Sequence, residues 1–343
     1  TEIYTLSLHD ALPISSSAII QMNGDGRVRM MIGGVDIGQG ANTAMAQIAA
    51  QELDLPIEYI NVMTEIDTRA NPYDWNTVAS KLTFMGGNAV IKACRELLDK
   101  MKAIAAQALK TEPEYLAHAN GEVYHVHNPE RRISYAKIAL GYMYPNGTSI
   151  GGPLMATGTY IADGLTNLDP ETGQGSPALV WTFGAHAVDI EIDVETGNID
   201  VLKVVSAFDV GQVINEKLIY GQICGGVVQG LGSAILEGYK FNEDVRLMNP
   251  SFTDNKIPTM KDMPKEIVAI YIENPQMNGP YGARGVAEHP MISVPSAVGN
   301  AVYDALGINF HVLPLSPEAI VLGIQSGKKS ILCTDVDCLP GLH

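Results

Sequence analysis

Glu288 stands in GARGVAEHP, residues 282–290, as a carboxylate between a glycine-rich run and a proline. Gly282 and Gly285 open backbone conformations closed to other residues. Pro290 fixes its own φ and biases His289 toward extended geometry, so such a loop can aim one side chain reproducibly. The chemistry that fits is general base catalysis, in which a carboxylate meets the proton it removes at hydrogen-bond distance. The same pattern also describes a solvated turn glutamate ahead of a helix, with Pro295 in the first turn and the charge favoured by the helix dipole. Local pattern leaves both readings open.

Two glycine-rich stretches offer binding chemistry. In GGVDIGQGANT, residues 33–43, Gly33, Gly34, Gly38 and Gly40 bring backbone N–H groups to a helix N-terminus, an anion site by geometry and dipole, and Gln39 adds an amide beside them. The dinucleotide fingerprint GxGxxG and the Walker GK[ST] are both absent, and plain turn chemistry uses the same glycines. In KLIYGQICGGVVQGLGSAILEG, residues 217–238, each interior glycine weakens a helix by up to about 1 kcal/mol relative to alanine, so something compensates. Gln222, Gly225, Gly226 and Gln229 fall on one helical face, suited either to close helix packing or to the approach of a flat polar ligand.

These residues need a scaffold. Residues 18–35 read as two strands around an Asn-Gly-Asp-Gly turn, followed by a helix capped by Asn42 or Thr43. YINVMTE reads as a strand, and NAVIKACRELLDKMKAIAAQALK as a long amphipathic helix. HAVDIEID and NIDVLKVVSAFDV flank a turn at 194–197 as an antiparallel hairpin. Strands and helices without regular βαβ alternation indicate an α+β fold, expected as two mixed lobes at about 16–148 and 149–325 with the division after PNGTSIGGP, and a tail at 326–343.

The 343 residues are 46% hydrophobic and 17% charged, a globular composition. A net charge of -16 repels phosphate backbones and argues against nucleic acid. Cys94, Cys224, Cys333 and Cys338 form no CxxC pair, which argues against a zinc or iron–sulfur site in this chain and for free thiols in a reducing, cytoplasmic setting. No run of 18 apolar residues suggests a membrane span. The N-terminal TEIYTLSLHDALPIS lacks the basic and apolar regions of a signal peptide and resembles a translated sequencing adapter. Residues 1–15 are therefore set aside from the fold, the natural sequence is expected to begin near Ser16 or Ser17, and the chain is expected to be a fragment.

In this order, GGVDIGQGANT, NTVASKLTFMGGNAV, GQICGGVVQGLG, NKIPT and GARGVAEHP resemble the xanthine dehydrogenase family of molybdenum hydroxylases, over roughly residues 17–322. The likeness is to the C-terminal part of the large molybdopterin-binding subunit, of xanthine dehydrogenase/aldehyde oxidase type. It implies that Gly38, Gln39 and Gly40 match the loop contacting the pterin, Ala79 and Ser80 the step beside it at a helix N-terminus, Gln222 a further pterin contact, and Glu288 the catalytic glutamate. Burial is expected to raise the Glu288 pKa toward working pH. Ala287 and His289 depart from the family's GVGEP, and Cys224 stands where the family often has glutamate. The resemblance further implies a molybdenum–molybdopterin cofactor held without protein metal ligands, the cytosine dinucleotide being one form it takes. It implies hydroxylation of an electrophilic carbon, of the xanthine, N-heterocycle or aldehyde class. Partners would be the N-terminal half of the subunit, a [2Fe-2S] subunit and an FAD subunit. Alternatives are an aromatic acyl-CoA reductase of the same family, suggested by TEIDTRANPYDWNTVASKLTFMGGNA, a non-catalytic cofactor-binding partner, and a plain phosphate-binding module.

Overall fold

The structure, a computed structural model, describes residues 15–74 and 77–332. They form two compact units. The first runs to Trp181 and takes in Gly211–Asn215 and Asn274–Gly285; the second comprises Thr182–Val210, Glu216–Glu273 and the residues from Val286 on.

In the first unit, β1 (Ser15–Met22) and β2 (Val28–Ile32) form the expected hairpin, with Ala18 opposite Ile32 and Met22 opposite Val28. β1 opens at Ser15, so the strand takes in one residue of the segment set aside above. The two-residue period of the strands turns Ala18, Ile20, Met22, Val28, Met30 and Ile32 inward. α1 (Ala41–Leu53) leads to the short β3 (Ile60–Val62), parallel to β2. α2 (Leu82–Leu109) begins six residues earlier than the apolar periodicity of NAVIKAC suggests. β4 (Leu116–Ala119), β5 (Glu122–His125) and β6 (Asn128–Ser134) make a small antiparallel sheet. β7 (Met155–Ile161) then returns beside β1, giving the order β3-β2-β1-β7. Met45, Ile48 and Leu53 of α1 and Ala89, Leu97 and Met101 of α2 join the buried strand residues in one core. At Gly158 a side chain would strike the backbone of Ala89 and Ala93, so α2 lies on β7 at backbone distance.

The second unit is built on β8 (Gly184–Ile192) and β9 (Ile199–Asp209), the second expected hairpin, with a bulge at Asp189/Ile190 and β10 (Glu266–Ile272) parallel to β9. α3 (Glu216–Leu231) continues into a π-helical turn, Gly232–Leu236. The four-residue α4 (His289–Ile292) and α5 (Val294–Leu306) follow, with Pro295 in the first turn of α5 as expected. Val204, Phe208, Ile223, Val227, Leu231, Val294, Val298 and Val302 are buried. Glu216–Leu236 is the one helical stretch, among the described residues, long and apolar enough to cross a membrane by length and composition. Its apolar residues here serve packing: Ile223, Val227 and Leu231 are buried, and Gly226 and Gly230 lie against Pro290 and Val294. The units together mix helices with antiparallel and parallel strands, the α+β class.

Candidate functional site

In the first unit the GQG loop is braced from within. Asp36 Oδ1 accepts from the Gly38 and Gly40 N–H groups at 3.0 and 3.3 Å, and Oδ2 from Asn42 N–H at 2.9 Å. The N-cap of α1 is Gly40, in the left-handed region at φ 81°, rather than Asn42 or Thr43. The anion site expected there already holds an anion of its own: Asp36 supplies the charge and takes up these donors. Gln39 is also committed to the loop, its Nε2 donating to Val35 O at 3.0 Å and its Oε1 accepting from Ile37 N–H at 2.6 Å. Gly38, at φ 107°, has open space where a side chain would point.

A second loop backs this one. Thr77 Oγ1 accepts from Val35 N–H at 2.8 Å, and a Cβ on Gly33 would lie 2.7 Å from Asp74 Cβ. Ala79 and Ser80 then take consecutive left-handed conformations, φ 54° and 51°, immediately ahead of α2. Lys81 Nζ pairs with Asp74 Oδ1 at 2.6 Å, with side chains only 9% and 2% exposed, and Ser16 Oγ donates to Asp74 Oδ2 at 2.5 Å. Removing one partner of an ion pair buried so deeply costs roughly 3–5 kcal/mol. The GARG segment joins them from the far end of the sequence. Gln212 N–H donates to Gly282 O at 3.0 Å, Arg284 Nη1 to Trp181 O at 2.6 Å, and a side chain at Gly285 would collide with the Ser80 carbonyl oxygen. Gly282 is required by its φ of 88°, Gly285 by this close approach.

In the second unit the glycines of α3 divide between two faces. A Cβ on Gly226 or Gly230 would lie 2.6 Å from Pro290 Cβ or 2.5 Å from Val294 Cβ, so these two are packing glycines. Gly221 and Gly225 are exposed and face open space. Gln222 lies between them half-buried, its Oε1 buried without a hydrogen-bond partner, whereas Gln229 is exposed. Buried amide oxygens are almost always bonded, so this one has room for a donor from outside the chain, water or ligand.

Glu288 precedes α4 in right-handed conformation, φ -84° and ψ -37°, with an exposed side chain. The burial expected around Glu288 is not found among the described residues. α4 opens at His289 itself, although Pro290 disfavours helical geometry there, and the His289 side chain is half-buried with its Nε2 out of solvent. His289 and His186 both stand edge-on to Phe208, at ring-centre distances of 5.1 and 5.2 Å, and His186 Nδ1 lies 2.7 Å from Ser293 Oγ. Burial, with repulsion from His186, pushes His289 down to about 4, and burial lowers His186 as well. A histidine lowered on folding contributes stability that is fully present above its unfolded pKa near 6.5 and is lost as pH falls through the folded value. His289 is therefore expected to cost the fold up to roughly 3 kcal/mol between pH 6.5 and 4. His289→Phe should flatten that part of the stability curve when Tm is followed against pH. Parallel curves for wild type and variant would show that the imidazole is not held neutral.

Residues 2–264 match the molybdopterin cofactor-binding domain model. The chain belongs to the molybdopterin cofactor-binding domain family. It is 32% identical over 308 residues to the nicotine 6-hydroxylase large subunit of Paenarthrobacter nicotinovorans, covering 89% of this chain and 36% of that protein. It is 29% identical over 307 residues to the xanthine dehydrogenase molybdenum-binding subunit of Escherichia coli O157:H7, covering 89% and 39%. The solved quinoline 2-oxidoreductase of Pseudomonas putida 86 superposes with a TM-score of 0.77 at 28% identity, covering 91% of this chain and 38% of that one. The chain thus spans little more than a third of these three relatives, and the matched region is the C-terminal part of a larger protein.

For a molybdopterin-binding domain the residues present fit the group: an unpartnered buried amide oxygen at Gln222, an open glycine face beside it, and a rigid, side-chain-free loop at Gly38. Gly38, Gln39, Gly40, Ala79 and Ser80 all lie in the first unit, on two loops tied by the Val35–Thr77 bond, while Gln222 and Glu288 lie in the second. Among the described residues no group of three metal-ligating side chains occurs, and Cys94 and Cys224 are free thiols; Cys333 and Cys338 lie outside the described residues. Sequence reading missed Asp36, Asp74, Thr77 and Lys81. Asp36 had a signal, an aspartate just ahead of a glycine loop that opens a helix, where a carboxylate collects backbone donors.

Proposed function

We propose that this chain is the C-terminal part of the molybdopterin-binding subunit of a cytoplasmic molybdenum hydroxylase. Gly38, Gln39, Gly40, Ala79, Ser80 and Gln222 hold the pterin, and Glu288 is the base. The observation that carries the reading is the buried, unpartnered Oε1 of Gln222 beside the open glycines 221 and 225. When bound, the molybdenum–pterin group supplies the redox chemistry, delivering water-derived oxygen to an electrophilic carbon and taking up two electrons. The GQG loop is held rigid by Asp36 and presents open space at Gly38, so a flat ligand can approach its backbone closely. Glu288 accepts the proton at a carboxylate oxygen. The names of the nicotine and quinoline enzymes favour an N-heteroaromatic substrate over an acyl-CoA thioester. Relatives named as large or molybdenum-binding subunits support assembly with further subunits, which the family resemblance gives as [2Fe-2S] and FAD subunits, and the partial coverage supports a missing N-terminal half. A phosphate-binding module is disfavoured because Asp36 occupies the loop's N–H donors.

The test is metal and pterin analysis of the assembled enzyme containing this chain. Gln222→Leu should lower molybdenum content, because a ligand donor loses its partner at roughly 1–3 kcal/mol. Gln229→Leu, at an exposed position, should do less. Equal molybdenum in wild type and Gln222→Leu would count against the assignment, and an assembled wild type without molybdenum would sink the reading.

A further inference from the structure

We infer that the buried Lys81–Asp74 ion pair, capped by Ser16, is a lock that holds Ala79 and Ser80 in left-handed conformation and so pre-forms the backbone surface offered to the pterin. Lys81 is on this reading a positioning residue, and the inference rests on the pterin site proposed above.

The argument starts from strain. Ala79 and Ser80, neither glycine nor asparagine, sit side by side at φ 54° and 51°. Side-chain-bearing residues hold that conformation only where the surroundings over-determine it, and such places cluster at ligand clamps. Both ends of the segment are fixed. Downstream, Lys81 is the N-cap of α2, whose 28 residues are anchored in the core by Leu82, Phe84, Met85 and the apolar residues that follow. Upstream, Asp74 is bridged antiparallel to Ser16 of β1, and Gly33 packs so tightly on it that a Cβ would lie 2.8 Å from Asp74 N. Lys81 Nζ to Asp74 Oδ1 at 2.6 Å draws these two points together directly, and Ser16 Oγ fills the other carboxylate oxygen at 2.5 Å. In such burial neither charge tolerates separation, so the tether is stiff. Residues 77–81 turn into the helix, with Lys81 N–H bonded to Val78 O at 3.2 Å, and Ala79 and Ser80 take that turn. Thr77 ties the same segment to the GQG loop through Val35, and Gly285 covers the Ser80 carbonyl. The lock therefore acts where two loops assigned to the cofactor meet.

The experiment uses the assembled enzyme and the pair Asp74→Asn/Lys81→Met, which removes both charges and leaves no unpaired ion buried. Molybdenum content is expected to fall, and amide hydrogen exchange at residues 77–82 to rise, each by about ten-fold or more, the factor that strain of this kind represents. Exchange in the middle of α2 should stay at the wild-type rate. Adding Ala79→Gly, which removes the left-handed penalty at that residue, should restore most of the molybdenum, because a freely left-handed residue no longer needs the lock. Wild-type molybdenum and exchange in the charge-free pair would overturn the inference, and so would a loss that Ala79→Gly leaves unchanged, since that is the signature of general destabilisation. If wild type holds no molybdenum the functional reading fails, while exchange at 77–82 and its reversal by Ala79→Gly still decide the lock.

Discussion

Glu288→Gln, in an assembled enzyme of matched molybdenum content, is expected to slow anaerobic reduction by substrate at least about 100-fold, the low end for a lost acid–base group. Glutamine keeps the volume and polarity of the side chain and removes only its basicity, so cofactor content should be unchanged. Two observations make this a sharp test. Glu288 makes no side-chain cap bond to α4, so the substitution does not remove a helix cap. Its neighbours in the chain are packed independently of the substitution, with His289 against Phe208 and Pro290 against Gly226. A solvated turn glutamate predicts an effect within about 0.5 kcal/mol on stability and none on the reduction rate. Near wild-type reduction by the glutamine variant would return Glu288 to that status.

The parts of this molecule legible in its sequence are those governed by local rules. Both hairpins announce themselves through alternating apolar residues around Asn23–Gly26 and Val194–Gly197, and each turn needs a glycine at positive φ, Gly26 at 82° and Gly197 at 76°. Pro295 marked the first turn of α5 for an equally local reason. What escaped was set by partners distant in sequence. α2 begins at Leu82 because an ion pair to Asp74 and a bridge to Ser16 fix its start, and neither contact leaves a periodic trace. β7 pairs with β1 from 140 residues away, which no turn signal foretells. At the site, helical spacing placed Gln222, Gly225 and Gly226 on one face, yet the structure gives Gly226 to Pro290 and leaves Gly225 open. The close-packing reading holds for Gly226 and Gly230, while Gly221 and Gly225 face open space. Spacing cannot separate them, since both faces use the same residue for the same reason, the absence of bulk. His289 shows the limit from the other side: the proline rule predicted extended backbone, and the gain from burying an aromatic ring against Phe208 prevailed.

Gly285→Ala is expected to have the opposite separation of effects from Glu288→Gln, although the two residues are three apart in the chain. In an ordinary loop, Gly→Ala is neutral or stabilises by roughly 0.4–1 kcal/mol through the unfolded state. At Gly285 the new methyl would occupy the space of the Ser80 carbonyl oxygen, and neither backbone is free to yield. On one side Ser80 is held by Lys81 at the head of α2; on the other Arg284 is tied to Trp181 and Gly282 to Gln212. Overpacking against a fixed backbone costs about 1–3 kcal/mol, so the sign of the stability change is itself diagnostic. The displacement falls on Ala79–Ser80, the step assigned to the pterin, and molybdenum content should drop about ten-fold or more, as expected when a binding surface moves by that much free energy. Thermal unfolding and elemental analysis of the assembled variant check the two halves separately. A Tm at or above wild type would show that Gly285 does not press on Ser80. A lowered Tm with full molybdenum would show that it does, and that the Ala79–Ser80 step is not part of the cofactor surface.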